Sequence, residues 1–195
     1  MNSRHILLGL FAVLLMSVPL VAQDSGNELV SVDRPWNGYW WPHLDGGLAT
    51  GAGYENQPSP YIKYTHIFDP YRLAVKWELD HHFDPDAEPW AGHCNGWAAA
   101  AVSEAQPPLR SVVDDTEFFY GDMTGLYTEC YQGSTGARYG ERYFNESDDF
   151  SDIDPLIFQQ TLELYLKVNG IPVIADVDPD VAVWSYPIYQ YNKTG

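Results

Sequence analysis

The feature that most constrains this chain is one segment, residues 90–104, which reads WAGHCNGWAAAAVSE. It passes from a glycine-containing loop into an alanine-rich run that favours a helix. Cys94 therefore falls in the first turn of that helix, where unpaired backbone N–H groups and the positive end of the helix dipole stabilise a thiolate. Apolar residues recur at helical spacing along the run, so one face should pack against the rest of the fold. The segment is typical of a nucleophilic cysteine held on a rigid helix.

The first 22 residues have the pattern of a signal peptide. A short basic start, Arg4 and His5, precedes an apolar run from residue 6 to residue 21, and the small residue Ala22 ends it. Pro19 and Ala22 favour cleavage over retention as a membrane anchor. We therefore expect residues 23–195 to form a single exported domain, secreted or periplasmic, with no membrane span after signal cleavage.

The charge of the chain excludes one large class of partners. Its 195 residues include 10 basic and 27 acidic ones, a formal net charge of −17 at pH 7, and signal removal would leave about −18. An acidic protein repels the phosphate backbone, so we expect no nucleic-acid partner. The hydrophobic content of 45% is too high for a disordered chain and supports a packed core.

The two cysteines leave a structural alternative open. An exported chain meets oxidising surroundings, where Cys94 and Cys130 could pair in a disulfide. The chain would then be a non-catalytic exported binding protein. Cys130 itself lies on the apolar face predicted for a second helix, which is capped by Asp122 and ends at Gly133. That position predicts a buried, inert cysteine.

Histidines and carboxylates cluster at residues 81–88, HHFDPDAE, and invite comparison with a metal site. Adjacent histidines seldom bind one ion together, and no second cluster has metal-ligand spacing. Carboxylates in a loop are usually solvated. The sequence therefore predicts no metal and no cofactor.

The remaining pattern predicts a mixed fold. An Asp-Pro pair marks the start of a helix at two places. Asp69-Pro70 predicts a helix over 71–81, and Asp154-Pro155 predicts one from 155 to about the Asn-Gly pair at 169–170. Residues 171–178 and 181–191 predict two strands of a hairpin. A lone terminal hairpin would leave an exposed edge, so we expect the domain to be incomplete at its C-terminus. The aromatic run PWNGYWWP at 35–42 is expected to line the core rather than a sugar site.

Several of these segments together resemble the elicitor-type transglutaminases, secreted proteins of oomycetes with bacterial relatives. The matching segments are residues 90–104, AVKWE at 74–78, GDMTGL at 121–126 and VWSYPI at 183–188. In the last of them the family typically has Val-Trp-Asn-Gln-Pro, and Ser185 and Tyr186 stand where Asn and Gln are usual. The resemblance covers most of residues 36–191.

The resemblance implies acyl transfer between glutamine and lysine side chains of protein substrates. Cys94 would be the nucleophile, and its backbone N–H together with Trp90 would lie on the oxyanion side. Among the residues present, Asp176 could orient a histidine in a Cys-His-Asp arrangement, with Asp178 as the alternative, or it could simply be a carboxylate at a strand end. The expected fold is α+β and papain-like, with the cysteine-bearing helix packed on an antiparallel sheet.

The general base is the part that the sequence does not identify. The resemblance suggests a catalytic histidine directly after Phe158 at a helix start, but this chain has Gln159 there. An amide cannot usefully accept a proton near neutral pH. His93 is next to Cys94, where a side chain usually points away, and His81 and His82 lie upstream. The base could also follow the terminal hairpin. A papain-like cysteine peptidase, which also forms a thioester, is the alternative enzyme.

Overall fold

The structure is a computed structural model that describes residues 27–51, 56–140, 153–176 and 182–194. The expected signal peptide and Asp178 lie outside these residues. Within them are six strands and six helices, here labelled in chain order: β1 (Glu28–Ser31), α1 (Gly47–Thr50), α2 (Pro60–Ile67), α3 (Leu73–His81), α4 (Cys94–Ser103), β2 (Arg110–Val113), β3 (Thr116–Phe119), α5 (Tyr120–Tyr131), α6 (Pro155–Leu162), β4 (Val173–Asp176), β5 (Ser185–Ile188) and β6 (Gln190–Lys193). A short 3₁₀ turn (His43–Asp45) precedes α1, and a π-helical segment (Glu163–Val168) continues α6.

The strands form antiparallel pairs, β1 with β6, β2 with β3 and β4 with β5. The strand expected over 181–191 is divided at Tyr189, so that β5 pairs with β4 while β6 pairs with β1. Leu29 of β1 lies opposite Asn192 of β6. The predicted hairpin is present as the two-stranded β4–β5 pair, but the end of its second strand leaves it as β6 and pairs with β1 at the other end of the chain. That the domain is incomplete stays a prediction.

Local sequence explains how α6 and α5 begin. The Asp154 side chain accepts hydrogen bonds from the backbone N–H groups of Leu156 (2.8 Å) and Ile157 (3.2 Å), with Pro155 at the first helical position, as predicted. Asp122 is the third residue of α5 rather than its cap, and its Oδ2 accepts from the N–H of Phe119 at 2.8 Å.

Helix α3 begins two residues later than predicted. Arg72 has a left-handed backbone, with φ of 55°, and so stands outside the helix. The Asp69 carboxylate instead accepts a hydrogen bond from the N–H of Ala74 at 2.8 Å, which ties the preceding turn to the first turn of α3. The helix ends at His81, as predicted.

The core consists of three apolar clusters. Val30, Leu162 and Leu166 join β1 to α6 and its continuation. A second cluster packs Trp36 on the α4 residues Ala100 and Ala101. The third contains Trp41, Leu48 and Tyr61, and lies against α3 and α5. Trp36 and Trp41 are buried, which confirms the core interpretation for these two residues of the aromatic run, whereas Tyr39 of the same run is exposed.

Helix α4 lies between α5 on one side and the β4–β5 pair on the other. Its approach to α5 depends on Gly96, because a Cβ atom there would lie 2.4 Å from the carbonyl oxygen of Thr128. The helix that begins with Cys94 is thus fixed on two faces, and it packs on an antiparallel strand pair as expected. The mixture of helices and small antiparallel sheets confirms the α+β class. Of the helices in the described ranges, none is long and apolar enough to cross a bilayer.

Candidate active site

Cys94 is the first residue of α4, and its side chain is buried. No side chain caps this helix end, so the N–H groups of the first turn keep their positive potential beside the sulfur. The thiol donates a hydrogen bond to the carbonyl oxygen of Val183, with Sγ and O 3.7 Å apart. The sulfur therefore lies at the end of β5, between a helix N-terminus and a strand pair.

Asp176 lies in the same part of the fold. It is the last residue of β4, pairs with Ser185 of β5, and accepts a hydrogen bond on Oδ1 from the backbone N–H of Trp184 at 3.2 Å. Because Trp184 follows Val183 directly, Cys94 and Asp176 contact consecutive residues of one segment. The structure thus brings the two predicted catalytic residues to the same strand end, and their chemical roles stay predictions.

Trp90 lies in the turn before α4 and is half-buried. Its role on the oxyanion side stays a prediction. A second tryptophan, Trp40, was not predicted to lie at the site, yet its carbonyl oxygen accepts a hydrogen bond from the N–H of His93, the residue before Cys94, at 2.5 Å. The Trp40 ring packs edge-on against Trp184 with centroids 5.7 Å apart. Its buried Nε1 has no hydrogen-bond acceptor among the described residues.

No described histidine contacts the Cys94 sulfur. His93, next to it, turns its ring away, with Nδ1 3.1 Å from the carbonyl oxygen of Trp41 and Nε2 3.0 Å from His82 Nδ1. His81 contacts the carbonyl oxygen of Trp77 in its own helix at 2.7 Å. The expectation that a neighbouring side chain points away is confirmed for His93.

The histidines instead meet two glutamates. Four side chains each place one possible metal-ligating atom within 4.8 Å of the others. They are Glu78 in α3, His82 directly after α3, His93 before α4 and Glu129 in α5. We call these four residues the His-Glu cluster. The sequence pattern placed His82 with the carboxylates at 84–88, whereas in the structure its partners are Glu78, His93 and Glu129. The spacing of Glu78 and His82, one helical turn apart, was the only local signal.

Strong electrostatic coupling marks this cluster. Burial opposes a charge on His93, but the adjacent Glu129 and Glu78 carboxylates outweigh it and raise the pKa of His93 to about 9. Burial likewise opposes the charge on Glu78, yet hydrogen bonds with His82 and His93 lower the pKa of Glu78 to about 2. Burial, reinforced by the neighbouring His93 and His82, lowers the pKa of His43 to about 4. At neutral pH the Glu78 carboxylate is therefore ionised, and His93 carries the proton that balances it.

Both cysteines are free, Cys94 buried and Cys130 exposed. The disulfide alternative is therefore wrong for this structure. The expectation that Cys130 is buried is also wrong, because Cys130 lies on an exposed face of α5.

Two of three comparisons with known proteins found a match. Residues 87–194 match the family model described as transglutaminase elicitor. The fold is similar to the crystal structure of the GP42 transglutaminase from Phytophthora sojae, with a TM-score of 0.65 and 19% identity, over 83% of this chain and 54% of that one. The present chain thus spans about half the length of that protein, and the likeness concerns the fold. No curated protein sequence matches the chain significantly. Because the family model covers more than half of its residues, the chain belongs to the transglutaminase elicitor family.

Proposed function

We propose that this chain is an exported acyltransferase of the protein-glutamine γ-glutamyltransferase type, with Cys94 as its nucleophile. The observation that carries the proposal is the position of Cys94: its buried sulfur lies at an uncapped helix start and contacts the strand pair that holds Asp176. Membership of the transglutaminase elicitor family supports the same chemistry.

The reaction proceeds in two acyl transfers. The Cys94 thiolate attacks the side-chain carbonyl carbon of a substrate glutamine, a C–S bond forms, the C–N bond breaks, and the nitrogen leaves as ammonia after taking a proton. A substrate lysine amine then attacks the thioester carbon. An isopeptide C–N bond forms, the C–S bond breaks, and the amine proton passes to a base as the thiolate returns.

Each tetrahedral intermediate carries an oxyanion that needs N–H donors. The backbone N–H of Cys94 at the helix start is one donor, and the unpartnered Nε1 of Trp40 is the second that we propose, with Trp90 as the alternative. The helix dipole adds positive potential at the same place.

Asp176 is proposed to orient the group that transfers protons, as the acid does in Cys-His-Asp arrangements. The N–H of Trp184 holds one of its carboxylate oxygens in place. Because the described histidines do not contact Cys94, we assign proton transfer to a group other than these.

A papain-like cysteine peptidase is the second candidate, because α4 packed on the β4–β5 pair is compatible with either enzyme. A peptidase would form the thioester at a backbone carbonyl, release a peptide amine and let water resolve the thioester, whereas the transferase forms it at a glutamine side chain and lets an amine resolve it. Incubating the protein with casein and a fluorescent primary amine separates them. We expect amine incorporation that is lost in Cys94→Ala and retained in Cys130→Ser, the matched change at the exposed cysteine. Hydrolysis of casein without amine incorporation would support the peptidase instead. The absence of both reactions would contradict both candidate functions.

A further inference from the structure

We propose that the His-Glu cluster binds one divalent transition-metal ion, with Zn²⁺ as the ion whose ligand preferences fit best. The site lies apart from the Cys94 sulfur, and the proposal does not depend on acyl transfer. Its four ligands would be Glu78, His82, His93 and Glu129, drawn from α3, the residue before α4, and α5.

The spacing of the ligand atoms suits a four-coordinate ion. Zinc bonds of about 2.1 Å in a tetrahedron place ligand atoms about 3.4 Å from one another. In the cluster, His93 Nε2 lies 3.2 Å from Glu129 Oε2 and 3.3 Å from Glu78 Oε1. His82 Nδ1 lies 3.0 Å from His93 Nε2, 2.8 Å from Glu78 Oε2 and 3.9 Å from Glu129 Oε2. Small side-chain shifts would bring these distances to the tetrahedral value.

The hydrogen bond of His93 fixes which of its nitrogens faces the cluster. Its Nδ1 lies 3.1 Å from the carbonyl oxygen of Trp41, and a carbonyl can only accept, so Nδ1 carries the proton. In the neutral ring, Nε2 then presents a lone pair toward two carboxylates and His82 Nδ1. In the metal-free protein the raised pKa of His93 keeps a proton at this position, and a divalent ion would displace that proton and bind the same lone pair. An Nδ1–H donated to a backbone carbonyl is also the usual support of a histidine that binds metal through Nε2.

Charge and burial point in the same direction. Glu78 and His93 are fully buried, while 14% of the Glu129 side chain and 17% of the His82 side chain are exposed. A divalent ion bound in place of the His93 proton would set two positive charges against the two carboxylates of Glu78 and Glu129. An uncompensated pair of buried carboxylates would be costly.

Unsatisfied atoms distinguish this site from a network held by protons alone. Glu129 Oε2 is buried and lies at ion-pair distance from His93 Nε2, yet no N–H of the described residues is directed at it. His43 Nε2, on a ring stacked against His82 with centroids 5.7 Å apart, is also buried without a partner. The single proton on His93 Nε2 has to be shared between carboxylate oxygens at 3.2 and 3.3 Å, whereas a metal ion would contact every ligand at once.

The surrounding backbone holds the ligands in place. The N–H of Leu48 donates to Glu78 Oε1 at 3.1 Å, and a Cβ atom on Gly47 would lie 2.3 Å from the same oxygen. Such outer contacts orient ligands in metal sites. Two imidazole nitrogens favour Zn²⁺ or a similar transition ion over Ca²⁺, which takes six to eight oxygen ligands. The bound ion would join α3 and α5 to His93 and so restrain the backbone of Cys94.

The test is metal binding by the full chain after treatment with a chelator. We expect one Zn²⁺ per chain by titration calorimetry and elemental analysis, with a raised thermal unfolding midpoint, and no such effect of Ca²⁺. Co²⁺ should give the visible absorption of a tetrahedral nitrogen–oxygen site, which Zn²⁺ should displace. Mutation of a residue that only supports a metal ligand lowers metal affinity by roughly 10–100-fold. Because His82 and Glu129 are themselves proposed ligands, His82→Gln and Glu129→Gln should each weaken Zn²⁺ binding by at least that much. His81→Gln, at the exposed adjacent histidine, is the matched control.

Absence of stoichiometric Zn²⁺ uptake by the unchanged chain, or equal Zn²⁺ affinity in the two cluster variants and the control, would overturn the proposal. Stabilisation by Ca²⁺ alone would also overturn it. Because the Co²⁺ spectrum is measured on the unchanged chain, the test stands even where a cluster variant fails to fold.

Discussion

The Cys94 thiol and the Val183 carbonyl oxygen form a hydrogen bond across 89 positions of the chain, with Sγ and O 3.7 Å apart. A thiolate has no proton to donate, so this contact is made by the thiol form. Attack on a substrate therefore requires the sulfur to lose both its proton and this partner. The neighbouring hydrogen bond from the Trp184 N–H to Asp176 places a carboxylate beside that event.

Asp176→Asn tests whether that carboxylate acts through its charge. Asparagine keeps an oxygen that can accept from Trp184, so the fold should be unchanged, while kcat for amine incorporation should fall by about 10²–10⁴-fold. Steady-state kinetics and thermal unfolding measure the two effects separately. Asp33→Asn, at another exposed aspartate, should leave kcat unchanged. An Asp176→Asn protein with the kcat of the unchanged chain would remove Asp176 from the mechanism.

Trp40→Phe tests the proposed oxyanion donor. The change removes the Nε1–H and keeps an aromatic ring against Trp184, and removal of one such donor typically lowers kcat by about 10²–10³-fold. Trp36→Phe is the matched control, because Trp36 Nε1 donates to the carbonyl oxygen of Glu104 at 3.0 Å, away from Cys94. We expect the control to lose about 1 kcal/mol of stability with kcat unchanged. Equal rates in both variants would exclude Trp40 as a donor.

Lys63→Met tests the buried ion pair that joins α2 to α5. Lys63 Nζ lies 2.6 Å from Asp122 Oδ2, and the two side chains are 5% and 0% exposed. Removing the lysine leaves an unpaired buried carboxylate, so the free energy of unfolding in urea should fall by about 3–5 kcal/mol. Lys76→Ala, in the exposed pair with Asp80, should cost no more than about 0.5 kcal/mol. Similar losses in the two variants would contradict this account.

Gly47→Ala tests the backbone that supports Glu78. Gly47 has φ of 51°, and an added Cβ would meet Glu78 Oε1. A left-handed conformation for alanine, together with this overlap, should lower the free energy of unfolding by about 1–3 kcal/mol. Gly133→Ala is the control, since a Cβ there would meet nothing within 4 Å. Chemical denaturation of the two variants checks the difference, and an equally stable Gly47→Ala protein would show that this contact is not restrictive.

The features that local sequence encodes were predicted well. Helix α4 followed from its alanine run, and the start of α6 followed from the Asp154–Pro155 pair, because caps and propensities act over a few residues. The burial of Trp36 and Trp41 followed from their apolar area. The position of Asp176 near Cys94 is not encoded in any local pattern, because it depends on the packing of β4 and β5 against α4.

The features that tertiary packing creates could not be predicted. No periodicity in the sequence predicts that β6 pairs with β1, because the two strands lie near opposite ends of the chain and their pairing depends on the whole fold. The His-Glu cluster forms because α3 and α5 pack on either side of the loop that ends at His93. Likewise, helical spacing placed Cys130 on an apolar face of α5, but the packing of α5 left it exposed.

The central claim, that Cys94 forms a thioester with a glutamine side chain, is tested most directly by trapping that intermediate. The protein would be incubated with a glutamine-containing peptide in the absence of any amine, quenched in acid, and analysed by peptide mass spectrometry. We expect an adduct on Cys94 with the mass of the peptide less ammonia, absent from Cys94→Ala and present in Cys130→Ser. An adduct on Cys130, or ammonia release that persists in Cys94→Ala, would contradict the account.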